Sequence, residues 1–495
     1  MCVATRRRPN ILLITTDQQR GDCLGCDGHP VLETPYLDQL AGEGVRFRRA
    51  YSAVPACTPA RAAILTGMDQ WHHGRLSMAG SDALEFPATL PGELARAGYH
   101  TQAVGKMHFF PQRRLYGFHH MVLDESGRRY GRFESDYHRW FEAHKAGSYG
   151  YRDHGVDWNS WMARPSHLPE HLHPTHWTAE EGIHFLQQRD PSKPFFLWLS
   201  FARPHSPYDS PMPYYSMYAE SPRIPEPYRG EWAAEFARPD PDVNAAFTLR
   251  SPTEVRRARA AYYGNITCID HQIGRVLYEL AAWDRREMDN TVILFTSDHG
   301  DMLGDHHHWR KTYGYEGSSR VPLICRWPRA WGMPRGEVSD GVVELRDVMP
   351  TLLEAAGAAI PPSVDGRSLG DLARGATDWR PYIQGEYTAC YRFDQGMQFV
   401  TDGAEKYIWF HHTGRERFFD LRRDPGECLD LAPDPAAAPR VRHWRAVLAA
   451  VNAARGDPRG SGGALIPQLQ GAPALSPFYD RWKQAAEATD HGARP

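Results

Sequence analysis

Residues 10–19 read NILLITTDQQ, and this stretch decides the fold that we expect. The run from Ile11 to Ile14 is short and wholly apolar, which is typical of a strand buried on both faces of a parallel sheet. Asp17 and Gln18 follow directly, and open α/β sheets bind their ligands beyond the carboxyl ends of the strands. The stretch therefore predicts a central strand that ends in a polar site.

Strand-like and helix-like segments alternate over the first three-quarters of the chain, which favours a mostly parallel sheet covered by helices. The other buried strand-like runs are residues 102–104, 195–199 and 291–295. Ser251 to Glu254 form a capping box before a helix, with Pro252 at the first helical position. Two long segments rich in Pro, Trp, Tyr and His, residues 109–177 and 203–250, are expected to be loops that line a functional surface.

From about residue 375 the pattern changes to short strands at turn-length spacing. The strand-like runs are residues 381–387, 397–401, 406–410 and 417–421, and an Ala-rich helix follows near 436–454. We therefore predict a catalytic α/β domain over residues 1–374. A smaller α+β domain over residues 375–495 would hold an antiparallel sheet, a helix and a tail.

Composition excludes several classes of function. The 495 residues are 41% hydrophobic and 24% charged, as in an ordinary globular protein. The net charge of -3 gives no reason to expect a nucleic-acid partner, since a protein that binds nucleic acid shows a basic face or tail. No stretch reaches the roughly 18 apolar residues that cross a bilayer, and the N-terminal residues lack the pattern of a signal peptide. We therefore expect no membrane partner and a cytoplasmic protein. The eight cysteines are scattered and do not form a disulfide framework.

Two polar pairs follow predicted strands, Asp17 with Gln18 and Asp298 with His299. Two carboxylates that leave neighbouring strands suit a hard divalent cation, and an amide oxygen and an imidazole nitrogen can complete its shell. Either aspartate alone is equally well explained as the cap of a turn.

Cys57 is a third candidate, because Pro59 fits the first turn of a helix and places the cysteine at its N-terminus. The helix dipole and the free backbone amides at this N-terminus favour an anion, and Arg61 lies about one turn further along the helix. Such a cysteine is either a thiolate nucleophile of low pKa or a small buried residue. Position alone leaves both alternatives open.

The segment from Cys57 to Arg61, followed by Leu65-Thr66-Gly67, resembles the C-x-P-x-R signature of sulfatases, whose cysteine is oxidised to formylglycine. Further motifs lie in the order of that family: residues 10–17, 105–108, 204–205 and 297–301, and Lys311. The resemblance covers about residues 10–330, and the later β-rich segment resembles the C-terminal domain of the family.

The resemblance implies an alkaline-phosphatase-like α/β fold and one divalent metal, usually calcium. By similarity its ligands are Asp17, Gln18, Asp298, His299 and an oxygen of the modified Cys57. Many sulfatases have aspartate in place of Gln18 and asparagine in place of His299, so manganese and zinc stay open as alternatives. Related phosphonate monoester hydrolases and phosphodiesterases share the Asp-Gln and Asp-His pattern.

The resemblance also implies a mechanism. Hydrated formylglycine has two hydroxyls, of which one attacks sulfur and the second later collapses to the aldehyde and expels sulfate. By similarity, Arg61 and Lys106 hold these hydroxyls and His108 is the base for the collapse. His205 and Lys311 would bind the sulfate and protonate the leaving oxygen, although Arg310 is an alternative to Lys311.

We therefore predict a hydrolase of an aryl or carbohydrate sulfate monoester that depends on a separate enzyme to form its formylglycine. The alternative is a phosphonate monoester or phosphate diester hydrolase with the same nucleophile. A non-catalytic binding protein is the remote alternative, against which the retained Cys57 and Arg61 argue. The tail over residues 456–495, with Tyr479 and Trp482, suggests a contact with a second copy and hence a homo-oligomer.

Two further features allow alternative interpretations. His306, His307 and His308 favour a loop rim over a second metal site, with Asp305 capping a turn. The tryptophans of the first long segment would either stack on a ring of the substrate or pack the loops onto the core. They are Trp140, Trp158, Trp161 and Trp177.

Overall fold

The computed structural model describes residues 8–78, 85–126, 128, 132–388, 391–471 and 473–479. Its strands are β1 Asn10–Asp17, β2 Val45–Phe47, β3 Ala50–Tyr51, β4 His100–Gly105, β5 His120–Leu123, β6 Phe195–Pro204, β7 Thr291–Ser297, β8 Leu323–Arg326, β9 Glu337–Ser339, β10 Val343–Glu344, β11 Ile383–Tyr387, β12 Met397–Thr401, β13 Glu405–Phe410, β14 Glu416–Asp420, β15 Gly460–Ser461 and β16 Ala464–Leu465. The α-helices are α1 Pro35–Glu43, α2 Cys57–Thr66, α3 Gln70–His73, α4 Leu90–Arg96, α5 Asp136–His144, α6 Pro174–Gln188, α7 Met212–Ala219, α8 Pro252–Trp283, α9 Arg285–Asp289, α10 Glu316–Ser319, α11 Val348–Ala356, α12 Leu369–Ala373 and α13 Ala438–Ala454.

The largest sheet has the strand order β5-β4-β6-β1-β7-β8-β2-β9 within the described residues. β1 lies at its centre and runs parallel to β6 and β7, so that Leu13 lies opposite Trp198 on one side and Leu294 on the other. Only β8 runs antiparallel to its neighbours β7 and β2. The predicted mostly parallel sheet is confirmed.

All eight residues of β1 are buried, which explains its wholly apolar run. Ile11 and Leu13 face one core, which also contains residues of α2 and α11, and Leu12 and Ile14 face the other, which contains residues of α8. Burying one such side chain stabilises the fold by about 1.5–3 kcal/mol. Helices on both faces therefore fix the carboxyl end of β1, where Asp17 lies.

The predicted capping box begins α8, the longest helix of the described chain. Ser251 Oγ accepts a hydrogen bond from the Glu254 backbone N–H at 3.3 Å, and the Glu254 carboxylate accepts one from the Ser251 N–H at 2.9 Å. Ile269 and Ile273 of this helix pack onto the sheet. The helix covers one face of the strands that carry the polar residues.

The two long segments are not loops throughout, contrary to the expectation for residues 109–177 and 203–250. They contain β5, α5, α7 and the start of α6. Their aromatic side chains supply the apolar surface that folds them: Tyr137, Phe141 and Trp177 form one buried cluster, onto which Trp140 packs. For Trp140 and Trp177 the packing explanation is therefore confirmed. Arginines stack on the other two tryptophans, Arg203 on Trp158 and Arg250 on Trp161.

A four-stranded antiparallel sheet, in the order β11-β12-β13-β14, forms the later part of the chain. One face packs against α13 through Trp409 and Trp444, and the other contacts the first part of the chain through Phe399 and Tyr51. The small sheet and its helix are confirmed. The boundary between residues 374 and 375 stays a prediction.

The tail differs from the expectation. Tyr479 is buried against Gly74 of its own chain, and its hydroxyl accepts a hydrogen bond from the Glu85 N–H at 3.2 Å. It therefore does not offer a surface to a second copy, while Trp482 lies outside the described residues. The homo-oligomer stays a prediction. Within the described ranges, no helix has the length and apolarity needed to cross a membrane.

Candidate active site and metal centre

The predicted site residues meet at the carboxyl edge of the large sheet. Asp17 ends β1, Lys106 follows β4, His205 follows β6 and Asp298 follows β7. The N-terminus of α2 points at the same edge and carries Cys57. The structure thus brings together residues that lie far apart in the sequence, as the strand-end argument predicts.

Four side chains form a cluster with the composition of a metal centre: Asp17, Cys57, Asp298 and His299. One potential ligand atom from each lies within 4.8 Å of the others, and all four residues are buried. Cys57 Sγ lies 3.2 Å from His299 Nε2 and 3.8 Å from Asp17 Oδ1. The thiol therefore lies among the potential metal ligands.

Gln18 turns its amide oxygen toward this cluster. Its Nε2 donates to Asp301 Oδ2 at 2.6 Å, and its Oε1 accepts from Lys311 Nζ at 3.0 Å. The backbone of Gln18 has a positive φ of 75° and is held by Tyr262, whose hydroxyl donates to the Gln18 carbonyl at 2.6 Å. The contact with Asp301 orients the amide, because a carboxylate accepts only from the nitrogen end.

His299 presents a neutral ring nitrogen to the site. Its Nδ1 lies 2.9 Å from the Gly300 carbonyl oxygen, which accepts the proton on that nitrogen. The lone pair of Nε2 is then free for a metal, the usual arrangement of a ligating histidine. Burial lowers the pKa of His299 to about 3, so the ring is neutral at physiological pH.

Arg61 lies one turn into α2 and links the two aspartates. Its Nε donates to Asp298 Oδ2 at 2.9 Å, and its Nη2 lies 3.9 Å from Asp17 Oδ2. Burial alone would raise the pKa of Asp298, but the nearby positive charges, Arg61 among them, lower it to about 2. Asp298 is therefore an anion that can bind a cation.

Two lysines approach the thiol of Cys57. Lys106 Nζ lies 4.0 Å from Cys57 Sγ and forms an ion pair with Asp17, and Lys311 Nζ lies 3.3 Å from the same sulfur. Burial, together with the positive charges of Arg128 and Lys311, holds the pKa of Lys106 well below its ordinary value. The pocket at the sulfur is therefore built for an anion.

Lys311, not Arg310, enters the site. Lys311 Nζ lies 2.8 Å from His205 Nε2, and the Nδ1 of this histidine lies 2.8 Å from the Ser206 carbonyl oxygen. Arg310 points away, with its guanidinium 4.4 Å from the centre of the Tyr391 ring. Burial and the charge of Lys311 hold the pKa of His205 well below its ordinary value. The lysine thus donates and the neutral histidine accepts.

His108 lies at the edge of this group, in a backbone conformation with φ of 57°. Both its own N–H and that of Met107 donate to Glu125 Oε1, at 2.8 and 3.0 Å, so the buried Glu125 fixes this turn. The side-chain Nδ1 has no hydrogen-bond partner in the described structure. Burial, with the charges of Arg128 and Lys106, keeps the pKa of His108 well below its ordinary value.

Three residues of the site were not predicted from the sequence: Glu125, Arg128 and Asp301. Glu125 and Asp301 hold residues of the cluster through hydrogen bonds, and the charge of Arg128 acts on Lys106 and His108. Asp301 belongs to the motif of residues 297–301 at the end of β7, and this motif could have identified it as a residue of the site. No comparable pattern marks Glu125 or Arg128.

The histidine run is not a loop rim, contrary to the expectation. His306 and His308 are buried, and Asp305 does more than cap a turn. Its carboxylate pairs with Arg20 at 2.7 Å and with Arg259 at 2.6 Å. These ion pairs hold the segment in the interior and thereby support the loop that carries Lys311.

The donor set fits a divalent cation. It combines two ionised carboxylates, one amide oxygen and one neutral imidazole nitrogen, which are ligands for Ca²⁺, Mn²⁺ or Zn²⁺. Arg61 Nη2 is buried without a hydrogen-bond partner among the described residues, and therefore leaves a donor for an anion beside the cation.

Comparison with known proteins gives matches over most of the chain. The model of the family described as Sulfatase matches residues 9–358, and that described as N-sulphoglucosamine sulphohydrolase, C-terminal, matches residues 304–453.

An arylsulfatase of Clostridium perfringens is 44% identical over 457 residues, which are 89% of this chain and 94% of the relative. A multifunctional alkaline phosphatase superfamily protein of Trinickia caryophylli is 32% identical over 88% of this chain and 94% of its own. The solved phosphonate monoester hydrolase of Agrobacterium radiobacter superposes with a TM-score of 0.73 at 26% identity, covering 90% of this chain and 96% of its own.

Proposed function

Because this chain belongs to the sulfatase family, we propose that it hydrolyses aryl or carbohydrate sulfate monoesters, with an oxidised residue 57 as nucleophile. One observation carries the proposal: Lys106, Lys311 and His299 converge on Cys57 Sγ at the N-terminus of α2. Such a pocket stabilises an anion that binds beside the sulfur of Cys57, and a sulfate ester is an anion of this kind.

Asp17, Gln18, Asp298 and His299, with an oxygen of the oxidised residue 57, would hold one divalent cation, for which we propose Ca²⁺. When bound, the cation stabilises negative charge on the nucleophile and polarises the ester oxygens. Mn²⁺ and Zn²⁺ are the alternatives, because one imidazole nitrogen replaces an oxygen ligand.

Arg61 and Lys106 orient the nucleophile in this proposal. Arg61 forms ion pairs with Asp17 and Asp298. Lys106 forms an ion pair with Asp17 beside the sulfur of Cys57. Both cations therefore lie where hydroxyls of residue 57 would accept hydrogen bonds. His108, neutral and with a free Nδ1, is suited to remove the proton when the hydrate collapses.

Lys311 and His205 would protonate the leaving oxygen. Lys311 Nζ donates a hydrogen bond to His205 Nε2 at 2.8 Å, and both side chains are buried. The proton that Lys311 shares with His205 can pass to the leaving oxygen of the ester when that oxygen lies within hydrogen-bond distance of either nitrogen. General acid help of this kind is worth roughly 10²–10⁴ in rate.

A phosphonate monoester or phosphate diester is the second candidate substrate. The observation that favours it is the structural likeness to a phosphonate monoester hydrolase at 26% identity. These esters carry one negative charge at neutral pH, as a sulfate monoester does, so the same pocket suits them.

The test is turnover of an aryl sulfate and an aryl phosphonate monoester, side by side, after co-expression with a formylglycine-generating enzyme. We expect the sulfate to be the better substrate and Cys57→Ala to lose both activities. Peptide mass spectrometry would establish whether the thiol of residue 57 has become an aldehyde. Full activity of Cys57→Ala on either ester would refute the proposed nucleophile, and preference for the phosphonate would favour the second candidate.

A further inference from the structure

A groove of about 380 Å³ lies at the edge of the large sheet opposite to the candidate active site. Arg326 lines it and donates from Nη1 to the Thr291 carbonyl at 3.2 Å, and Thr291 lies beside Asn10 at the start of β1. Asp17 ends the same strand seven residues later, roughly 23 Å away. This arginine groove is therefore a separate site, and its main lining residues are Tyr36, Tyr278, Arg285, Arg326, Arg329 and Arg335.

Positive charge is in excess in the arginine groove. Four arginines line it, against the two carboxylates of Glu43 and Asp289. The buried Arg326 serves both carboxylates: its Nε donates to Glu43 Oε2 at 2.9 Å, and its Nη2 lies 3.8 Å from Asp289 Oδ1. The other three arginines are exposed and have no hydrogen-bond or ion-pair partner among the described residues. Because the whole chain has a net charge of -3, this local excess does not follow from the composition.

Two tyrosine rings form the apolar part of the arginine groove. The ring of Tyr36 lies directly on Gly274 of α8, where a Cβ atom would come within 2.5 Å of it, and packs edge-on against His271 with ring centroids 6.1 Å apart. Tyr278 follows one turn further along α8 and is 76% exposed. The groove thus offers one fixed and one exposed aromatic ring together with unpaired guanidinium groups.

We propose that the arginine groove binds a sulfated polysaccharide chain. The planar guanidinium fork suits the oxygens of a tetrahedral anion, and an aromatic ring packs well on the apolar face of a sugar ring. An acidic peptide would satisfy the arginines but offers no such ring to the tyrosines. The inference rests on the proposed function for its choice of a carbohydrate sulfate. A chain held at the groove would raise the local concentration of its other sulfate esters at the active site.

The test is binding of a heparin octasaccharide to the Cys57→Ala protein, measured by calorimetry at low and at physiological salt. We expect the double variant Arg329→Gln/Arg335→Gln to bind roughly 10-fold more weakly, because two exposed ion pairs are lost, and to depend less on salt. Tyr278→Ala should also weaken binding, which loss of charge alone does not predict.

Arg422→Gln/Arg423→Gln is the matched control. It removes two positive charges from exposed arginines whose nearest carboxylates, Glu405 and Asp420, belong to the later, β-rich part of the chain, outside the groove. We expect this control to bind the octasaccharide as the parent does. Turnover of a small aryl sulfate should be the same in Arg329→Gln/Arg335→Gln and its parent, because the groove lies apart from the nucleophile.

Equal affinity of Arg329→Gln/Arg335→Gln and its parent for the octasaccharide would overturn the inference, as would tighter binding of polyglutamate than of the octasaccharide. Unchanged affinity of Tyr278→Ala would assign the groove to polyanions in general and so overturn the choice of a polysaccharide. Absence of aryl sulfate turnover in the unchanged enzyme would instead refute the proposed hydrolysis, because binding at the groove is measured without turnover.

Discussion

The side chain of Gln18 donates from Nε2 to Asp301 Oδ2 at 2.6 Å, and this contact directs its amide oxygen toward Lys311 and the candidate metal centre. Asp301 is itself fixed by three further donors: the Tyr208 hydroxyl and the backbone N–H groups of Leu303 and Arg310. Asp301 is therefore a positioning residue. Among the described contacts of its carboxylate, the one that leads to the candidate metal centre is the hydrogen bond to Gln18.

Replacing Asp301 by Asn should weaken metal binding. The new amide group would present hydrogens to some of these donors and would no longer hold Gln18 in one orientation. Residues that orient metal ligands typically contribute 10- to 100-fold in metal affinity or activity, and we expect about that loss. Calorimetric titration of the chelator-treated protein with Ca²⁺ and Mn²⁺ measures it.

Tyr208→Phe is the control for this prediction. It removes one donor to Asp301 and leaves the contact with Gln18 intact. We expect its metal affinity to fall less than that of Asp301→Asn, since a hydrogen bond to a charged group contributes about 1.5–3 kcal/mol and only part of it passes to Gln18. Equal metal affinity of Asp301→Asn and Tyr208→Phe would count against the positioning role.

Lys311 and Arg310 give a matched pair for the leaving-group proton. Lys311→Met should lower kcat by roughly 10²–10⁴, because it removes the donor that contacts His205 and the sulfur. Arg310→Met removes a cation that stacks on Tyr391 outside the site, and we expect kcat within about threefold of the parent. Esters with good leaving groups need less protonation, so the effect of Lys311→Met should shrink along a series of aryl sulfates of decreasing phenol pKa. A loss that is the same for every leaving group would assign Lys311 to binding alone.

The proximity of Asp17 and Asp298 in the candidate metal centre could be predicted because both residues lie at strand ends. Asp17 and Asp298 follow buried apolar runs, and adjacent parallel strands bring their carboxyl ends together. The positions of Lys106, His205 and Lys311 followed from the resemblance to sulfatases. Each of these residues is identified by its place in a motif, and the fold then makes them neighbours.

The supporting contacts could not be predicted in the same way. Gln18 and Asp301 are 283 residues apart, and a single side-chain hydrogen bond leaves no periodic pattern in the sequence. The histidine run was misjudged for a similar reason: whether Asp305 is exposed or buried depends on the ion pairs that it forms with Arg20 and Arg259. The residues of the long aromatic segments fold through contacts with one another, which their composition alone does not specify.

Glu386 should control the acid stability of the later, β-rich part of the chain. It is buried and pairs with Arg455 at 2.7 Å and with Arg459 at 2.6 Å, while its backbone N–H donates to Ala53. Burial alone would raise its pKa, but the two arginines outweigh it and hold the pKa of Glu386 well below its usual range. Because the folded pKa is depressed, the stabilisation is present above the unfolded pKa and is lost as the pH falls.

Glu386→Gln should therefore destabilise the protein at neutral pH and flatten the decline in stability toward acid. Removing one partner of a buried ion pair costs about 3–5 kcal/mol. Urea unfolding at several pH values measures both effects. Glu405→Gln is the comparison, since Glu405 pairs with the half-exposed Arg440 on the outer side of the same domain. An unchanged pH profile of Glu386→Gln would contradict the prediction.

Removing the metal should abolish turnover and lower the melting temperature, because the buried carboxylates Asp17 and Asp298 then repel one another across the site. Adding Ca²⁺ back at 100 times its Kd should stabilise the folded state by about 2.7 kcal/mol. Asp298→Asn should show neither recovery.

The control is Asp365→Asn, from a second cluster with Asp69 and His72 whose atoms also lie within 4.8 Å. There Asp365 already pairs with His72 at 2.8 Å and Arg346 lies 3.3 Å from Asp69, so a cation would have to displace these partners. We therefore expect Asp365→Asn to respond to Ca²⁺ as the parent does. Loss of the response in Asp365→Asn, with its retention in Asp298→Asn, would move the metal to this second cluster.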